Sequence, residues 1–123
     1  MIRGIVNARR EAIVQLRLRG PTGAEFDVEA IVDTGFSASL TLPAATVAAM
    51  GLLLQSSSQA RLADGSVKRF NVYAAEVLWL GVWQPVLVSV VGDEVLMGMR
   101  LLADHELRIA VVPGNKVEIT PLP

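Results

Sequence analysis

The sequence lacks cysteine and has a single histidine, His105. A chain without cysteine forms neither a disulfide framework nor a thiolate zinc site, and it fits a reducing compartment. One histidine argues against a histidine-based metal centre and against a Ser-His triad within one chain. We therefore expect no metal site.

The sequence also lacks an excess of either charge, with 11 Lys and Arg, 12 Asp and Glu and a net charge of −1. So small a net charge produces no overall field that favours nucleic acid or an anionic membrane. Arg17 and Arg19 can face Glu25 and Asp27 across a hairpin. Because no aromatic residues are interleaved among them, we interpret these arginines as a solvated strand face and expect no nucleic-acid partner.

Long hydrophobic runs are missing as well. The longest, Leu42 to Leu54, contains Pro43 and Gly51 and is too short to cross a bilayer. Three arginines among the first ten residues interrupt any apolar stretch of the kind a signal peptide needs. We expect no membrane partner and a soluble protein of the cytoplasm.

Apolar residues are plentiful: they make up 52% of the 123 residues, and the mean hydropathy is +0.47. This length suits one domain, which we assign to residues 1–123. A domain this small has much surface, so the apolar surplus indicates that some of it is buried against a partner chain.

Alternating apolar and polar residues predict strands through most of the chain. Asp64-Gly65 predicts a two-residue hairpin turn, and Pro43 and Gly51 are placed to start and stop a short helix. The pattern is typical of an all-β domain, a small closed β-barrel with one or two short helices. The predicted strands are 12–18, 24–32, 67–80, 85–91, 95–97, 107–112 and 116–120, and the second predicted helix is 99–106.

Three large side chains are interpreted as structural and not as catalytic or ligand-binding. His105 is expected to end the second helix and to be exposed, because no nucleophile or ligand pattern lies near it. Trp79 and Trp83 border a glycine turn and are expected to pack in the core or at an interface.

The most informative segment is Asp33-Thr34-Gly35, which directly follows the apolar pair Ile31-Val32. An acid at the base of a core costs free energy unless hydrogen bonds or a second carboxyl compensate it, and chains often keep such acids for chemistry. An Asp before Gly also starts turns by bonding its own backbone. Both interpretations remain open from the tripeptide alone.

The order of segments resembles the retropepsin-like aspartic proteases, and specifically their short single-domain prokaryotic branch. The resemblance rests on the Asp33 turn running into Leu40-Thr41-Leu42-Pro43, on a hairpin tip at Ala63 to Ser66, and on Val95-Leu96-Met97-Gly98. It covers nearly the whole chain. Its most specific parts are the Asp-Thr-Gly turn and the apolar-apolar-Gly strand.

The resemblance implies a homodimer with one active site at its two-fold axis. Asp33 would be the catalytic carboxylate and would pair with Asp33 of the second copy. Thr34 would hydrogen-bond across the axis, and Gly35 would let the backbone approach the substrate. The second motif would be Leu96, Met97 and Gly98. Lys116 to Leu122 is expected among the strands at the dimer interface.

The remaining residues carried over bind substrate. The hairpin tip formed by Ala63, Asp64, Gly65 and Ser66 would be the flap that folds over a bound peptide. Phe36 and Ser37 would line the cleft beneath it.

The implied function is aspartic endopeptidase activity, in which a water is activated between the two Asp33 carboxyls. Two carboxyls in contact do not both ionise, so one acts as general base and the other as general acid. This chemistry requires neither a metal nor an organic cofactor, and its only other partner is a peptide or protein substrate.

The sequence departs from the retroviral pattern at three positions. Ser37 and Met99 stand where retroviral enzymes carry an ion-paired Asp and Arg; both partners are absent together, which leaves no unpaired buried charge. Phe36 replaces a small residue beside the turn and can narrow the cleft. A catalytically weak or inactive module for dimerisation or peptide binding therefore remains the alternative.

Overall fold

The apolar-polar alternation gives ten strands and one short helix in the computed structural model, which describes residues 1–123. The predicted predominantly β class is confirmed, with one helix where one or two were expected. The helix is α1 (Ala44–Met50), and the strands are β1 (Ile2–Val6), β2 (Ala12–Arg19), β3 (Glu25–Val32), β4 (Leu40–Thr41), β5 (Leu53–Arg61), β6 (Val67–Trp79), β7 (Val82–Ser89), β8 (Leu96–Met97), β9 (His105–Ile109) and β10 (Lys116–Pro121).

The strands form one hydrogen-bonded sheet that closes on itself. Its order is β5-β6-β7-β4-β8-β3-β2-β1-β10-β9. β6 also pairs with the end of β2, through Leu18 opposite Val77 and Arg19 opposite Glu76. This extra pairing joins β2, β3, β8, β4, β7 and β6 into a ring. β5 and β9 remain as the two edges of the sheet.

The core is formed by strands of this ring together with β1, β10 and α1. β2 alternates strictly, so that Val14, Leu16 and Leu18 are buried while Gln15 and Arg17 are exposed. Burying each such side chain stabilises the fold by about 1.5–3 kcal/mol relative to leaving it exposed. Members of the core from the other strands include Leu40, Val77, Val88, Met97, Val117 and Ile119.

The β2–β3 hairpin confirms the predicted pairing of opposite charges in part. Arg17 lies opposite Asp27, and its Nε donates to Asp27 Oδ1 at 2.9 Å. This bond is the main reason that the pKa of Asp27 lies below its ordinary value. Arg19 lies opposite Glu25 but donates instead to Glu76 on β6, at 3.0 Å.

Helix α1 begins and ends where the sequence predicted. Pro43 precedes it as the N-cap residue with φ −61°. Gly51 ends it with φ +64°, a left-handed conformation that glycine adopts without steric cost.

The predicted helix over residues 99–106 is wrong, because the segment is a series of turns followed by the start of β9. The N–H groups of Met99 and Arg100 donate to Phe36 O and Ala38 O, and those of Ala103 and His105 donate only three residues back, to Arg100 O and Leu102 O. Asp104 then takes a left-handed φ of +65°, which an α-helix does not allow. Short turns that end at Asp104 therefore replace the helix that the apolar pattern of this segment predicted.

His105 is the first residue of β9 and is half-buried, so the expected exposed helix end is wrong. Its Nδ1 lies 2.7 Å from Ala103 O, and its Nε2 accepts from Trp79 Nε1 at 3.2 Å. The two rings meet edge to face. Trp79 is buried as predicted. Trp83 instead packs against Arg19, whose guanidinium carbon lies 4.2 Å from the centroid of the Trp83 ring.

The hairpin between β5 and β6 has a three-residue loop where the sequence predicted two. Leu62 N donates to Ser66 O at 2.8 Å, and Gly65 N donates to Leu62 O at 2.9 Å. Gly65 has φ +86°, which places the left-handed residue at the end of the loop. The hairpin itself is confirmed.

Strand β10 occupies an interior position. It lies between β1 and β9, so both of its hydrogen-bonding edges are filled within the chain. The expected interface segment, Lys116 to Leu122, therefore offers no free edge to a second copy; the free edge at this end of the sheet belongs to β9. No helix in the chain has the length and apolar content needed to cross a membrane.

Candidate active site

Asp33 stands at the end of β3, where β8 holds it in place. β8 runs parallel to β3, with Val32 opposite Met97, and Asp33 N donates to Met97 O at 2.9 Å. On its other side β8 pairs antiparallel with β4. The residues before and after the Asp33 loop are thus both anchored to the same short buried strand.

The loop after Asp33 turns back on itself. The carboxylate oxygen Oδ1 of Asp33 accepts the Gly35 N–H at 2.9 Å, and the carbonyl oxygen of Asp33 accepts the Phe36 N–H at 3.2 Å. The carboxylate thus orders its own turn, as the structural interpretation of Asp-Thr-Gly predicted. Its other oxygen has no hydrogen-bond partner in the chain and is free for water or a second carboxyl.

Gly98 lets the second motif pass directly beneath this loop. A Cβ at Gly98 would overlap the carbonyl oxygen of Ala38 and lie 2.7 Å from that of Phe36. Gly98 N donates to Ser39 O at 2.9 Å, and Met99 N donates to Phe36 O at 2.8 Å. Only glycine fits this approach, which explains the residue type at position 98.

Thr41 ties the loop region to the segment before β8. Its side chain is buried, its Oγ1 donates to Glu94 O at 2.8 Å, and the same oxygen accepts Leu96 N–H at 2.8 Å. One hydroxyl therefore fixes β4 against β8. The sequence held a signal for this role, because Thr41 is a polar residue between Leu40 and Leu42.

A cleft of about 610 Å³ lies between the loop after Asp33 and the β5–β6 hairpin. Phe36 and Ser37 line it, together with Gly35 and Leu96. The hairpin contributes its strands, not its tip. The cleft residues that the sequence did not identify are Ala38, Thr41, Ser58, Gln59, Ala60, Arg61, Phe70, Ser89 and Val91.

The sequence-predicted site residues therefore separate into two groups. The structure brings the residues of the Asp33 loop and those of the second motif into one place. The flap-tip residues, Ala63 to Ser66, lie beyond the cleft and are exposed. The β5 residues of the hairpin were missed because β5 is exposed throughout and mostly polar, so no periodic pattern singles them out.

The flap tip is ordered by its own acid. Asp64 Oδ1 accepts the Ser66 hydroxyl at 2.6 Å and the Ser66 N–H at 2.9 Å. These two bonds hold the pKa of Asp64 below its ordinary value. Asp64 therefore acts here as a turn residue.

Thr34 is exposed in the loop after Asp33. Two of the three departures from the retroviral pattern, Ser37 and Met99, are exposed, so neither side chain needs an ion-pair partner. No group of three His, Asp or Glu side chains comes together in a way that could hold a metal ion.

Three comparisons with known proteins bear on this arrangement. No protein-family model matches the chain, and no curated protein matches it. Among solved structures, it is similar to a retropepsin-like aspartic protease from Rickettsia conorii, with a TM-score of 0.60 and 19% identity. The match covers 97% of this chain and 88% of that one. The likeness expected from the motifs is thus confirmed in three dimensions: this chain has the fold of the retropepsin-like aspartic proteases.

Proposed function

We propose that the protein is a homodimeric aspartic endopeptidase that hydrolyses peptide bonds with a water activated between Asp33 of two subunits. The ring of strands would be the small closed barrel of this protease type. The observation that carries the proposal is the Asp33 carboxylate, which has one oxygen held by the Gly35 N–H and the other oxygen free, immediately before the residues that line the cleft.

The chemistry explains why a second copy is needed. Hydrolysis needs one group that removes a proton from water and another that donates one to the scissile carbonyl oxygen. The loop supplies one acid, Asp33, and no acid is among the residues that line the cleft beside it. Two Asp33 carboxyls in contact would share one proton and so provide both roles.

The reaction would proceed without a metal or organic cofactor. The ionised Asp33 takes a proton from the bound water, whose oxygen attacks the carbonyl carbon, while the protonated Asp33 donates to the carbonyl oxygen. The resulting tetrahedral intermediate collapses as the C–N bond breaks and the nitrogen gains a proton.

The cleft is shaped for an extended peptide. Its upper wall consists of the β5–β6 strands and its floor of the Asp33 loop, so a substrate lying between them can form backbone hydrogen bonds to both. Phe36 and Phe70 supply the aromatic surface against which substrate side chains would pack. In this arrangement the flap tip at Asp64 would close over the peptide, and Thr34 would bond across the two-fold axis.

A mixed-sequence peptide library, read by mass spectrometry, tests the proposal. The wild-type chain should cleave a subset of the peptides, and a statine-type transition-state analogue should block that cleavage. Asp33→Asn should reduce the rate by at least about 1000-fold, because both proton transfers depend on the acid pair. Asp93→Asn, at an exposed loop acid outside the cleft, is the matched control and should retain full activity.

Cleavage that persists in Asp33→Asn would contradict the proposal. A wild-type dimer that binds peptides but cleaves none would support the binding module in its place.

A further inference from the structure

We propose that the free edge of β9 is the dimer interface, where β9 pairs antiparallel with β9 of a second copy about a two-fold axis at Leu107. This inference rests on the homodimer in the proposed function. It concerns the surface that builds the dimer, whereas the proposed function concerns the acid pair.

The edge of β9 carries unpaired backbone groups. The residues that flank β9, Asp104 and Ala110, are hydrogen-bonded to the strand β10 and the residue after it. Ala110 N donates to Lys116 O, and Leu122 N donates to Asp104 O. Because antiparallel pairs alternate, residues 106 and 108 also bond to β10. Leu107 and Ile109 therefore direct their N–H groups outward, and the carbonyl groups of His105 and Leu107 face the same way.

These groups match those of an inverted copy. With the axis at Leu107, the two Leu107 residues exchange N–H···O bonds, and each Ile109 N–H meets the His105 carbonyl of the partner subunit. The His105 N–H is already bonded to Leu102 O, so its absence from the ladder leaves no unsatisfied donor. Such a contact is isologous and closes at two chains.

The exposed face of β9 is self-complementary in charge. Glu106 and Arg108 project from this face, with side chains 56% and 74% exposed and only a loose contact of 3.8 Å between them. With the axis at Leu107, Glu106 lies opposite Arg108 of the partner subunit, and symmetry gives the same pair twice. Opposite charges that face each other across strands stabilise the pairing.

The neighbouring registers are unfavourable. An axis at Glu106 places two glutamates opposite each other, and an axis at Arg108 places two arginines opposite each other. A register shifted by one residue would place Leu107, which faces inward, opposite an outward-facing residue of the partner subunit. Buried and exposed side chains would then no longer lie on separate faces of the joined sheet. The charges thus specify one register.

The same face continues an alternating row of charge. Arg3 on β1 lies opposite Glu118 on β10, and Glu118 lies opposite Arg108 on β9. Glu106 of the partner subunit would follow as the next charge in the row, with the sign that the alternation requires.

The other sheet edge, β5, lacks these features. Arg61 is the only charged residue in β5, and the strand has an irregularity between Leu54 and Ser56, which makes an edge a poor template for pairing. β9 is also connected to the Asp33 loop. The segment 99–104 leads into β9, and at its start Met99 N–H donates to Phe36 O in that loop. An interface at β9 therefore lies on the element that leads directly from the site.

Charge reversal on β9 tests the interface by sedimentation velocity. Glu106→Arg and Arg108→Glu should each raise the dimer dissociation constant by at least about tenfold, because each turns both cross-strand pairs into like-charge pairs. An equimolar mixture of the two variants should recover wild-type association, since one chain then carries two cations on the edge and the other two anions. Glu106→Arg is the cleaner variant, because it faces the uncharged Thr120 within its own chain.

Ser56→Arg, on the β5 edge, is the matched control and should dimerise like the wild type. Variants that associate as tightly as the wild type, or a mixture that fails to recover association, would overturn the β9 interface. If these variants stay dimeric and the wild type cleaves peptide, the interface fails and the proposed function stands. If they dissociate as expected and the wild-type dimer cleaves nothing, the interface stands and the proposed function fails.

Discussion

At the scale of single residues, the geometry of the Asp33 carboxylate is compatible with both roles that the sequence presents as alternatives. One oxygen orders the turn through Gly35 N–H, and the other is free. The structural bond thus fixes the orientation in which the free oxygen can act. A carboxylate held by its own backbone is preorganised, which lowers the cost of placing it beside a second acid.

The close approach at Gly98 gives a stability prediction. Gly98→Ala should lower the free energy of unfolding by about 3 kcal/mol or more, because the added methyl group meets two backbone carbonyl oxygens that cannot move independently. Gly35→Ala is the matched comparison: its nearest contact is Asp33 Oδ1 at 3.3 Å, so its cost should be distinctly smaller. Urea denaturation measures both, and equal losses would contradict the steric account.

The flap tip gives a prediction about pH. The folded pKa of Asp64 is depressed, so its contribution to the turn is present above the ordinary pKa and is lost as pH falls through the folded value. Ser66→Ala removes the hydroxyl donor and should raise the pKa of Asp64 toward its ordinary value, while the remaining backbone bond keeps part of the shift. NMR titration of the Asp64 carboxyl carbon measures this, with Ser58→Ala as the control. An unchanged pKa in Ser66→Ala would refute the assigned cause.

At the scale of elements, the site depends on the short strands β4 and β8. β8 lies between β3 and β4 and anchors both ends of the Asp33 loop through backbone hydrogen bonds. Strands of two residues have little stability of their own, so side-chain bonds must help to hold them. Thr41 supplies two of these bonds.

Removing the Thr41 hydroxyl tests this dependence. Thr41→Val should cost about 2 kcal/mol of stability, because Glu94 O and Leu96 N–H both lose a partner in a part-buried position. Thr41→Ser keeps the hydroxyl and should cost only about 0.8 kcal/mol for the lost methyl group. Thermal unfolding monitored by circular dichroism separates the two variants. A serine variant that is destabilised as much as the valine variant would show that methyl packing, not the hydroxyl, holds β4.

The elements also show what the sequence could and could not predict. β2, β3 and α1 were predicted because local alternation and the turn residues Pro43 and Gly51 determine them. Residues 99–106 were mispredicted as a helix because Met99 and Arg100 are tied to a loop about 60 positions away in the chain and Asp104 takes a left-handed φ, and local pattern reveals neither. The cleft-lining strand residues of β5 were missed for the same reason: their placement arises from the ring of strands and not from their own polarity.

At the scale of the whole molecule, two features of the fold are compatible with the proposed dimer. One is the lone acid Asp33 beside a cleft, and the other is the unpaired, charge-alternating edge of β9. Exposed large apolar residues such as Ile5, Val82 and Val112 agree with the apolar surplus of the composition. A symmetric dimer would complete both features at once.

A subunit-mixing experiment tests the shared active site most directly. Wild-type and Asp33→Asn chains are mixed in equal amounts and allowed to exchange subunits. Peptide cleavage is then assayed at the same total protein concentration as the all-wild-type sample. If each active site needs Asp33 from both subunits, only about one quarter of the dimers carry two acids, and the activity should fall to about one quarter of that of the all-wild-type sample. A fall to about one half would mean that each chain works alone, and it would contradict the paired-acid account.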